Sequence, residues 1–409
     1  CTAVILDPET TEHRFEQLKP TLSLAYVLKD STKTKQPSNV TCLNILELER
    51  TANLQQNIRI SLSEEESPAL ILFSSGTTGA PKCIPLSLRN IAHNILCFKE
   101  TLGISGQESF LSTSPLYYAH GLYNGLLSAF FLMKPIVYGF PLNLLTAKKI
   151  LATAKKHQSS IYHITPSMIP ILVVMGTKAK EIIPRINSLI CGTAKLEKSA
   201  KLTIEDLFDT PVIQQYGMTE TLFMTMTQAN KESALNALGQ ANFCQLKVVD
   251  DNNSSLPTGT IGNIIVHSAS CFGSYYQQVN ESQLAFKDGW FLTGDLGYLN
   301  EFGELFLAGR KKQLIKKAGV NINPNEINDV LNKHPKVIEA ITIGIPDKTY
   351  GEEIISFISS KTEVSIEELH TLCKAHLVLK SRPKNIIKVA DFPRTKSGKI
   401  KISALKGLL

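Results

Sequence analysis

Residues Ser74-Ser75-Gly76-Thr77-Thr78-Gly79-Ala80-Pro81-Lys82 combine small hydroxyl side chains, two glycines and a lysine in one run. Gly76 and Gly79 let backbone amides approach an anion closely. Ser74, Ser75, Thr77 and Thr78 add hydroxyl donors, and Lys82 adds a positive charge. That chemistry suits a phosphate chain. The spacing is not that of the G-x-x-x-x-G-K-[ST] loop, because Ala80-Pro81 separates the second glycine from the lysine. A Gly/Ser/Thr-rich loop alone is more often an ordinary connection. Here it follows an apolar run, Ala69–Phe73, that reads as a buried strand. Beyond it, Ser87 can cap a helix carrying Ile91, Ile95, Phe98 and Leu102 on one face.

Further polar runs punctuate the chain. Gln215-Tyr216-Gly217-Met218-Thr219-Glu220 follows the strand candidate Val212–Ile213, and Gly192-Thr193-Ala194 follows Leu189–Cys191. Gly289-Trp290-Phe291-Leu292-Thr293-Gly294-Asp295, Gly309-Arg310 and Arg394-Thr395-Lys396-Ser397-Gly398-Lys399 complete the set. Singly, Glu220 reads as a helix-start acid, Asp295 as a turn residue and Lys399 as an exposed tail lysine.

The chain has 409 residues, with 43% hydrophobic and 19% charged side chains, which suits two or three globular units. The net charge of +7 is scattered in lysine pairs, with no aromatic-interleaved basic stripe. Nucleic acid is therefore disfavoured and anionic small molecules are favoured. Eight dispersed cysteines form no CxxC pair, as expected of reduced thiols in a cytoplasmic protein. No signal peptide is visible. The apolar stretch Leu122–Val137 is interrupted by Asn124, Ser128, Lys134 and Pro135, so it is expected to be a buried element and not an integral membrane segment. The first residue is Cys1, which suggests a segment of a longer chain.

The elements that must position these runs alternate. Strand candidates Ala69–Phe73, Ser160–Ile164, Leu189–Cys191 and Val212–Ile213 interleave with helices Ser87–Leu102, Leu144–His157 and Lys198–Phe208. The pattern predicts layered α/β structure with mostly parallel strands. From Phe243 to Leu307 it turns β-rich, with Gln245–Val249, Ile261–His267 and Glu304–Leu307 and turns at Pro257-Thr258-Gly259 and Asp288-Gly289. A boundary falls at Gly309–Lys312, dividing residues 1–310 from 311–409. Beyond it, Pro324 opens a helix carrying Ile327, Val330 and Leu331. Strands Ala340–Ile343 and Ile354–Ile358 follow. Ser365 and Glu368 form a capping box for a helix with Leu369, Leu372, Cys373 and a half-buried His376.

As an ordered set, from about Val4 to the end, the runs resemble the core motifs of the adenylate-forming (AMP-binding) superfamily. It includes acyl-CoA synthetases, peptide-synthetase adenylation domains and luciferases. The resemblance implies an α/β fold, with a large N-terminal lobe of layered sheets plus a β-rich subdomain and a small, mobile α+β C-terminal domain. It implies ATP, Mg²⁺ and a thiol acceptor, either coenzyme A or the phosphopantetheine of an acyl carrier protein. By the same resemblance Ser74–Lys82 holds the β- and γ-phosphates, Thr219 contacts the α-phosphate, and Glu220 with Thr78 serves the metal. Tyr216, Gly217 and Gly192-Thr193-Ala194 line the adenine, Asp295 holds the ribose and Arg310 lies near ribose and phosphate. Lys399 resembles the mobile catalytic lysine, Lys312 the hinge, and Lys317–Asn323, with Gly319, the stretch that serves thioester formation.

Ser114–Leu122 resembles the start of the acyl pocket. Tyr117, Tyr118, His120, Gly121, Thr165, Met218 and Met224 are its candidates, although Met and Tyr beside apolar strands are more often core. Tyr118 stands where relatives often carry histidine, and His120 where they carry an aromatic, with some likeness to aryl-CoA ligases. No aspartate lies between Ser112 and Phe131, which disfavours an α-amino acid. Other departures are Cys83 for glycine, Lys195 for proline, Asn263 for glutamate and Gln313 for an acid, and the family's first motifs would lie upstream of residue 1. The leading expectation is an AMP-forming acid–thiol ligase acting on a small-molecule carboxylic acid. Loading of a carrier protein, a luciferase-like oxygenase and an inactive binding protein are the alternatives. The identity of the acid and the oligomeric state are not encoded in these motifs.

Overall fold

The structure is a computed structural model that describes residues 3–4, 26–29, 41–44, 67–74, 82–139, 142–178, 182–228, 236–360, 362–394 and 400–409. Strands β1 (Ala3–Val4), β4 (Pro68–Ser74) and β5 (Lys82–Ser87) form a three-stranded sheet, while β2 (Tyr26–Lys29) pairs in parallel with β3 (Thr41–Asn44). The expected strand at Ala69–Phe73 is therefore β4, one residue longer at each end. Helix α1 (Leu88–Leu102) begins where the sequence predicts. The Asn90 amide donates to Ser87 Oγ (3.1 Å) and the Ser87 amide to Asn90 Oδ1 (2.9 Å), a reciprocal cap that satisfies otherwise orphaned donors. Gly103, at φ +64°, closes the helix by donating to the carbonyls of Lys99 and Glu100.

A six-stranded sheet forms the centre of the large N-terminal lobe. It comprises β6 (Phe110–Ser112), β7 (Ile136–Tyr138), β8 (Ile161–Ile164), β9 (Ser188–Cys191), β10 (Val212–Met218) and β11 (Leu222–Met226), in the order β11-β10-β9-β8-β6-β7. All neighbours are parallel except β10 and β11. Both faces are covered, so the strands read as nearly continuous apolar runs. The two-residue period nevertheless sorts them. Phe110, Ile161, Ile190 and Ile213 join the core beneath α1. Leu111, Tyr162, Leu189, Cys191 and Val212 pack on the opposite face, against α2 (Ala147–Lys156), α3 (Ile169–Lys178) and α4 (Lys198–Phe208).

A β-rich sheet follows, as the change of pattern after Phe243 predicts. Strands β12 (Gln245–Val249), β13 (Gly262–His267), β14 (Phe286–Lys287) and β15 (Trp290–Leu299) run in the order β12-β13-β15-β14, with β16 (Leu305–Arg310) paired to β15. Asp288 and Gly289 sit at φ +50° and +78°, the pair of left-handed residues that a tight β-hairpin requires. The small C-terminal domain holds β17 (Ile315–Lys317), β18 (Val320–Ile322), β19 (Val337–Asp347), β20 (Gly351–Ser360) and β21 (Asn385–Lys388). Its sheet is covered by α5 (Pro324–Leu331) and α6 (Ile366–His376), whose Ile327, Val330, Leu331, Leu369 and Cys373 are buried.

Three expectations need correction. His376 is exposed and its Nδ1 lies 3.1 Å from the Leu372 carbonyl, because the helix ends there and its apolar stripe stops at Cys373. The capping box of α6 is half formed. Ser365 Oγ accepts from the Glu368 amide at 3.4 Å but itself donates to Glu367 at 2.6 Å. The stretch Leu122–Val137 is buried only in its first half. It runs through a π-helix, His120–Leu127, into a short helical turn where Phe130 is 75% and Met133 91% exposed.

The π-helix lies hard against the end of β6. A Cβ on Gly121 would stand 2.2 Å from the Pro115 carbonyl oxygen and 2.5 Å from that of Ser114, and both are backbone atoms that cannot step aside. Gly121→Ala is expected to destabilise the protein by about 1–3 kcal/mol through overpacking. Gly273→Ala, where a Cβ meets open space, is expected to change stability by less than about 0.5 kcal/mol. Urea unfolding of the two variants checks the difference.

Candidate active site

The parallel strands converge on one edge, where their carboxyl ends open. In open α/β sheets ligands bind there. The stretch after β6 carries Tyr117, Tyr118 and His120, β8 leads into Thr165, β9 into Gly192-Thr193-Ala194, and β10 into Thr219 and Glu220. The sheet thus gathers residues that are far apart in sequence.

Backbone strain marks the same edge. Thr193 has φ +76° and Leu222 φ +58°, unusual values for branched side chains. The β10–β11 hairpin tightens at a bulge between Tyr216 and Gly217. A Cβ on Gly217 would lie 2.1 Å from the Leu222 carbonyl oxygen, so only glycine permits this turn. The turn buries Glu220, which is 6% exposed, and leaves Thr219 half-buried.

Glu220 meets a partner that the sequence did not reveal. Tyr275 donates its hydroxyl to Glu220 Oε1 at 3.3 Å, and Lys82 Nζ donates to the same hydroxyl at 3.1 Å. The ammonium also sits 4.2 Å from the centre of the Tyr275 ring. Burial raises the Glu220 pKa, against the opposing pull of its backbone hydrogen bond, Lys82 and Tyr275. Burial likewise lowers that of Lys82, while Glu220 holds it up and Lys312 pushes it down. The Phe272 amide donates to the Glu220 carbonyl (2.9 Å) and the Tyr276 amide to that of Cys83 (2.9 Å), which fixes the Phe272–Tyr276 segment against both groups.

A second polar cluster forms where β15 pairs with β16. Asp295 faces Arg310 across the ladder and is 4% exposed. Arg310 Nε lies 2.7 Å from Asp295 Oδ1, and the Tyr216 hydroxyl donates to Oδ2 at 2.6 Å. The Asp295 amide donates to Thr293 Oγ1 at 3.1 Å. Burial, reinforced by Asp295, pushes the Tyr216 pKa well above the ordinary phenol value. Arg310 also acts electrostatically on Glu220, so the two clusters share one field. A buried carboxylate beside a lysine and an arginine can hold a divalent cation together with phosphate oxygens, and Glu220 fits that role. Among the described residues no cluster of three histidine, cysteine or acidic groups offers a separate metal site.

The acyl-pocket candidates are only partly together. Tyr117 and Tyr118 pack ring to ring at 4.6 Å, and His120 Nδ1 lies 3.0 Å from Ser114 Oγ. Thr165 is buried just past β8 and Met218 is half-buried at the end of β10. Met224 is fully buried inside the core on β11. Gly319 is the second left-handed residue of the Ala318-Gly319 turn between β17 and β18, at φ +74°, and Lys312 lies in a short 3-10 turn after β16. Ser74 ends β4, while Ser75–Gly79 and Lys399 lie outside the described residues. Sequence reasoning missed Tyr275 and named Thr293 only as part of its run. The doubled Tyr275-Tyr276 after a Gly-Ser turn was the available signal for the first.

With this geometry, the sequence profile described as AMP-binding enzyme matches residues 1–276, and that of the AMP-binding enzyme C-terminal domain matches residues 326–399. The chain belongs to the AMP-binding enzyme family. A 2-succinylbenzoate–CoA ligase of Listeria monocytogenes is 30% identical over 345 residues, covering 83% of this chain and 69% of that enzyme. An oxalate–CoA ligase of Arabidopsis thaliana is 28% identical, covering 83% of this chain and 67% of the relative. The chain thus spans about two thirds of these enzymes. The o-succinylbenzoate coenzyme A synthetase of Bacillus subtilis with its acyl-adenylate intermediate superposes with a TM-score of 0.87 at 26% identity, covering 99% of this chain and 83% of that one. Its complex with ATP and magnesium ion gives a TM-score of 0.86.

His120 provides a pH test. Burial lowers the His120 pKa from its ordinary 6.5 to about 4. Above pH 6.5 the ring is neutral whether the chain is folded or not. As pH falls, the unfolded chain takes up a proton that the folded site refuses, so stability is lost between pH 6.5 and about 4. Replacing His120 by Gln is expected to remove on the order of 2–3 kcal/mol of this acid sensitivity. Urea midpoints measured at pH 7 and pH 4.5 for both proteins check it.

Proposed function

We propose that the chain activates a carboxylic acid with ATP and passes the acyl group to a thiol, with coenzyme A as the acceptor. A carboxylate oxygen attacks the α-phosphorus, the bond to the bridging oxygen breaks and pyrophosphate leaves. The thiolate then attacks the acyl carbon and AMP departs. The observation that carries this reading is the shared field of Lys82, Glu220, Asp295 and Arg310 at the carboxyl edge of the sheet, in a family whose relatives are named CoA ligases.

Two anions must approach each other, so cations must neutralise both. Lys82 and the Ser74–Gly79 run take the β- and γ-phosphates, and Thr219 takes the α-phosphate. Magnesium, held by Glu220 with Thr78, supplies charge neutralisation on the phosphates. Asp295 accepts from the ribose hydroxyls with Arg310 beside it. Tyr216 and Gly217, with Gly192-Thr193-Ala194, form the adenine wall. The Tyr216 hydroxyl bond to Asp295 adds a fixed orientation to that carboxylate. Lys399 bridges the attacking carboxylate and the α-phosphate. We place the domain boundary at 310/311, with Lys312 as the hinge about which residues 311–409 rotate. That rotation brings the strained Ala318-Gly319 turn to the thiol channel. Cys83, Cys97, Cys191, Cys244, Cys271 and Cys373 are unpaired, in keeping with a reducing cytoplasmic compartment. Among the described residues no helix is long and apolar enough to cross a membrane.

The acids named for the two curated relatives, 2-succinylbenzoate and oxalate, each carry two carboxyl groups. A compact acid with a second acidic group is the substrate class we favour. A pyrophosphate-release screen over mono- and dicarboxylic acids tests the activity itself, and α-amino acids are expected to be poor substrates. An ammonium there would be desolvated without a counter-charge.

Two variants test the assignment of roles. Lys399→Ala is expected to abolish most pyrophosphate release while sparing thioester formation from a supplied acyl-adenylate. Equal loss in both half-reactions, followed by separate assays, would sink the two-state scheme. Asp295→Ala is expected to weaken binding of an acyl-adenylate analogue by about 1.5–3 kcal/mol, the worth of a charge-assisted hydrogen bond. Unchanged affinity by calorimetry would reduce Asp295 to a structural partner of Arg310.

A further inference from the structure

One face of the central sheet contains a residue that the core alone does not explain. His163 lies on β8 and is 2% exposed. Its row on the sheet is otherwise apolar, for it pairs with Ile190 on β9, which pairs with Ile213 on β10. The imidazole stacks on Phe98 (5.6 Å between ring centres, 29°) and on Phe110 (6.3 Å, 10°). Among the described residues neither of its ring nitrogens has a hydrogen-bond partner. Leaving a buried polar group unpaired costs roughly 1–3 kcal/mol, and an apolar side chain would avoid that.

His163 is not alone. The His120 ring meets it edge to face at 6.0 Å, and His120 Nε2 is likewise buried without a partner. His120 Nδ1 is held near Ser114 Oγ, which turns Nε2 away from that hydroxyl. Three unpaired imidazole nitrogens therefore gather where β8 meets the first turn of the π-helix. Isolated π-helical turns concentrate at functional sites. Thr165 follows His163 by two residues, just past β8, and the Tyr117-Tyr118 pair directly precedes the π-helix in the chain.

We propose that His163, together with His120, forms the polar end of the acid pocket and binds a second acidic group on the acid, a carboxylate or sulfonate remote from the one that is adenylated. This rests on the ligase reading above. The neutral rings of the empty site offer N–H donors to the distal oxygens, and a bound anion favours on one ring the proton that burial otherwise keeps off both. An aliphatic tail of the same length leaves the nitrogens unpaired, and a site built to hydrogen-bond its substrate rejects such an analogue. The Phe98 and Phe110 rings fix the plane of His163, so its orientation precedes substrate binding.

Pyrophosphate exchange tests this with malonate and sulfoacetate against propionate and butyrate, in the wild type, His163→Phe and His163→Gln. The wild type is expected to favour the two-acid substrates. His163→Phe is expected to lower their kcat/KM relative to propionate by about tenfold or more, with the KM for ATP unchanged. His163→Gln, which keeps a hydrogen-bonding group, is expected to recover part of that loss and to remain informative if the phenylalanine variant folds poorly. Equal effects on both acid classes in both variants, or a wild type that prefers propionate, overturns the proposal and leaves the ligase reading standing. No exchange with any acid in the wild type overturns both.

Discussion

The Tyr275 hydroxyl, set between the Glu220 carboxylate and the Lys82 ammonium, ties the site together. Each charged group pays for burial, and neither could stay ionised there without an opposing charge nearby. The tyrosine keeps them close without letting them collapse into a direct ion pair. A carboxylate fully paired with lysine would have little left to offer a cation, and a lysine fully paired with carboxylate little for a phosphate. The three groups arrive from β5, from the turn after β10 and from the segment before β14. Their spacing therefore depends on three separate pieces of the lobe being docked correctly.

The backbone around this arrangement is correspondingly tight. Gly217 is pressed against the Leu222 carbonyl, Thr193 and Leu222 occupy left-handed conformations, and Gly192 lies under the Gln215 side chain, where a Cβ would come within 2.8 Å of it. Such strain persists only when the surroundings over-determine it. Here the surroundings are the two hydrophobic layers that clamp the parallel sheet. The rigid core thus maintains an edge whose local geometry is unfavourable by itself.

Much of this was legible in the sequence because the decisive groups follow apolar strands directly. Val212–Ile213 leads into Tyr216–Glu220, and Leu189–Cys191 leads into Gly192–Ala194, so short-range pattern placed both at strand ends. The capped helix after Ser87 and the Asp288-Gly289 hairpin were legible for the same reason. Tyr275 and His163 were not. Tyr275 acts on Lys82 and Glu220, which are 193 and 55 residues away. His163 sits in Ile161-Tyr162-His163-Ile164, which reads as a plain core strand. Periodicity reports which face a residue occupies, not whether its polar atoms find partners. His376 failed in the opposite way, since helical spacing continued its stripe one turn past the point where the packing surface ends.

Asn94 shows how the same wiring bears on the way the chain folds. It is fully buried on α1, where its amide nitrogen donates to the Phe223 carbonyl (2.9 Å) and lies 3.0 Å from Ser270 Oγ. Its oxygen accepts from the Tyr123 hydroxyl (2.7 Å) and the Phe223 amide (3.2 Å). Two of these partners lie 129 and 176 residues downstream. Until they arrive, the helix presents an unsatisfied amide in the middle of its apolar face, and sealing that face early would be penalised. α1 can therefore form its own turns at once yet cannot commit to the core ahead of β11 and the Ser268–Ser270 segment. One polar side chain thus couples the packing of this helix to the docking of the distant half of the lobe, so the interior is fully satisfied only when both are in place.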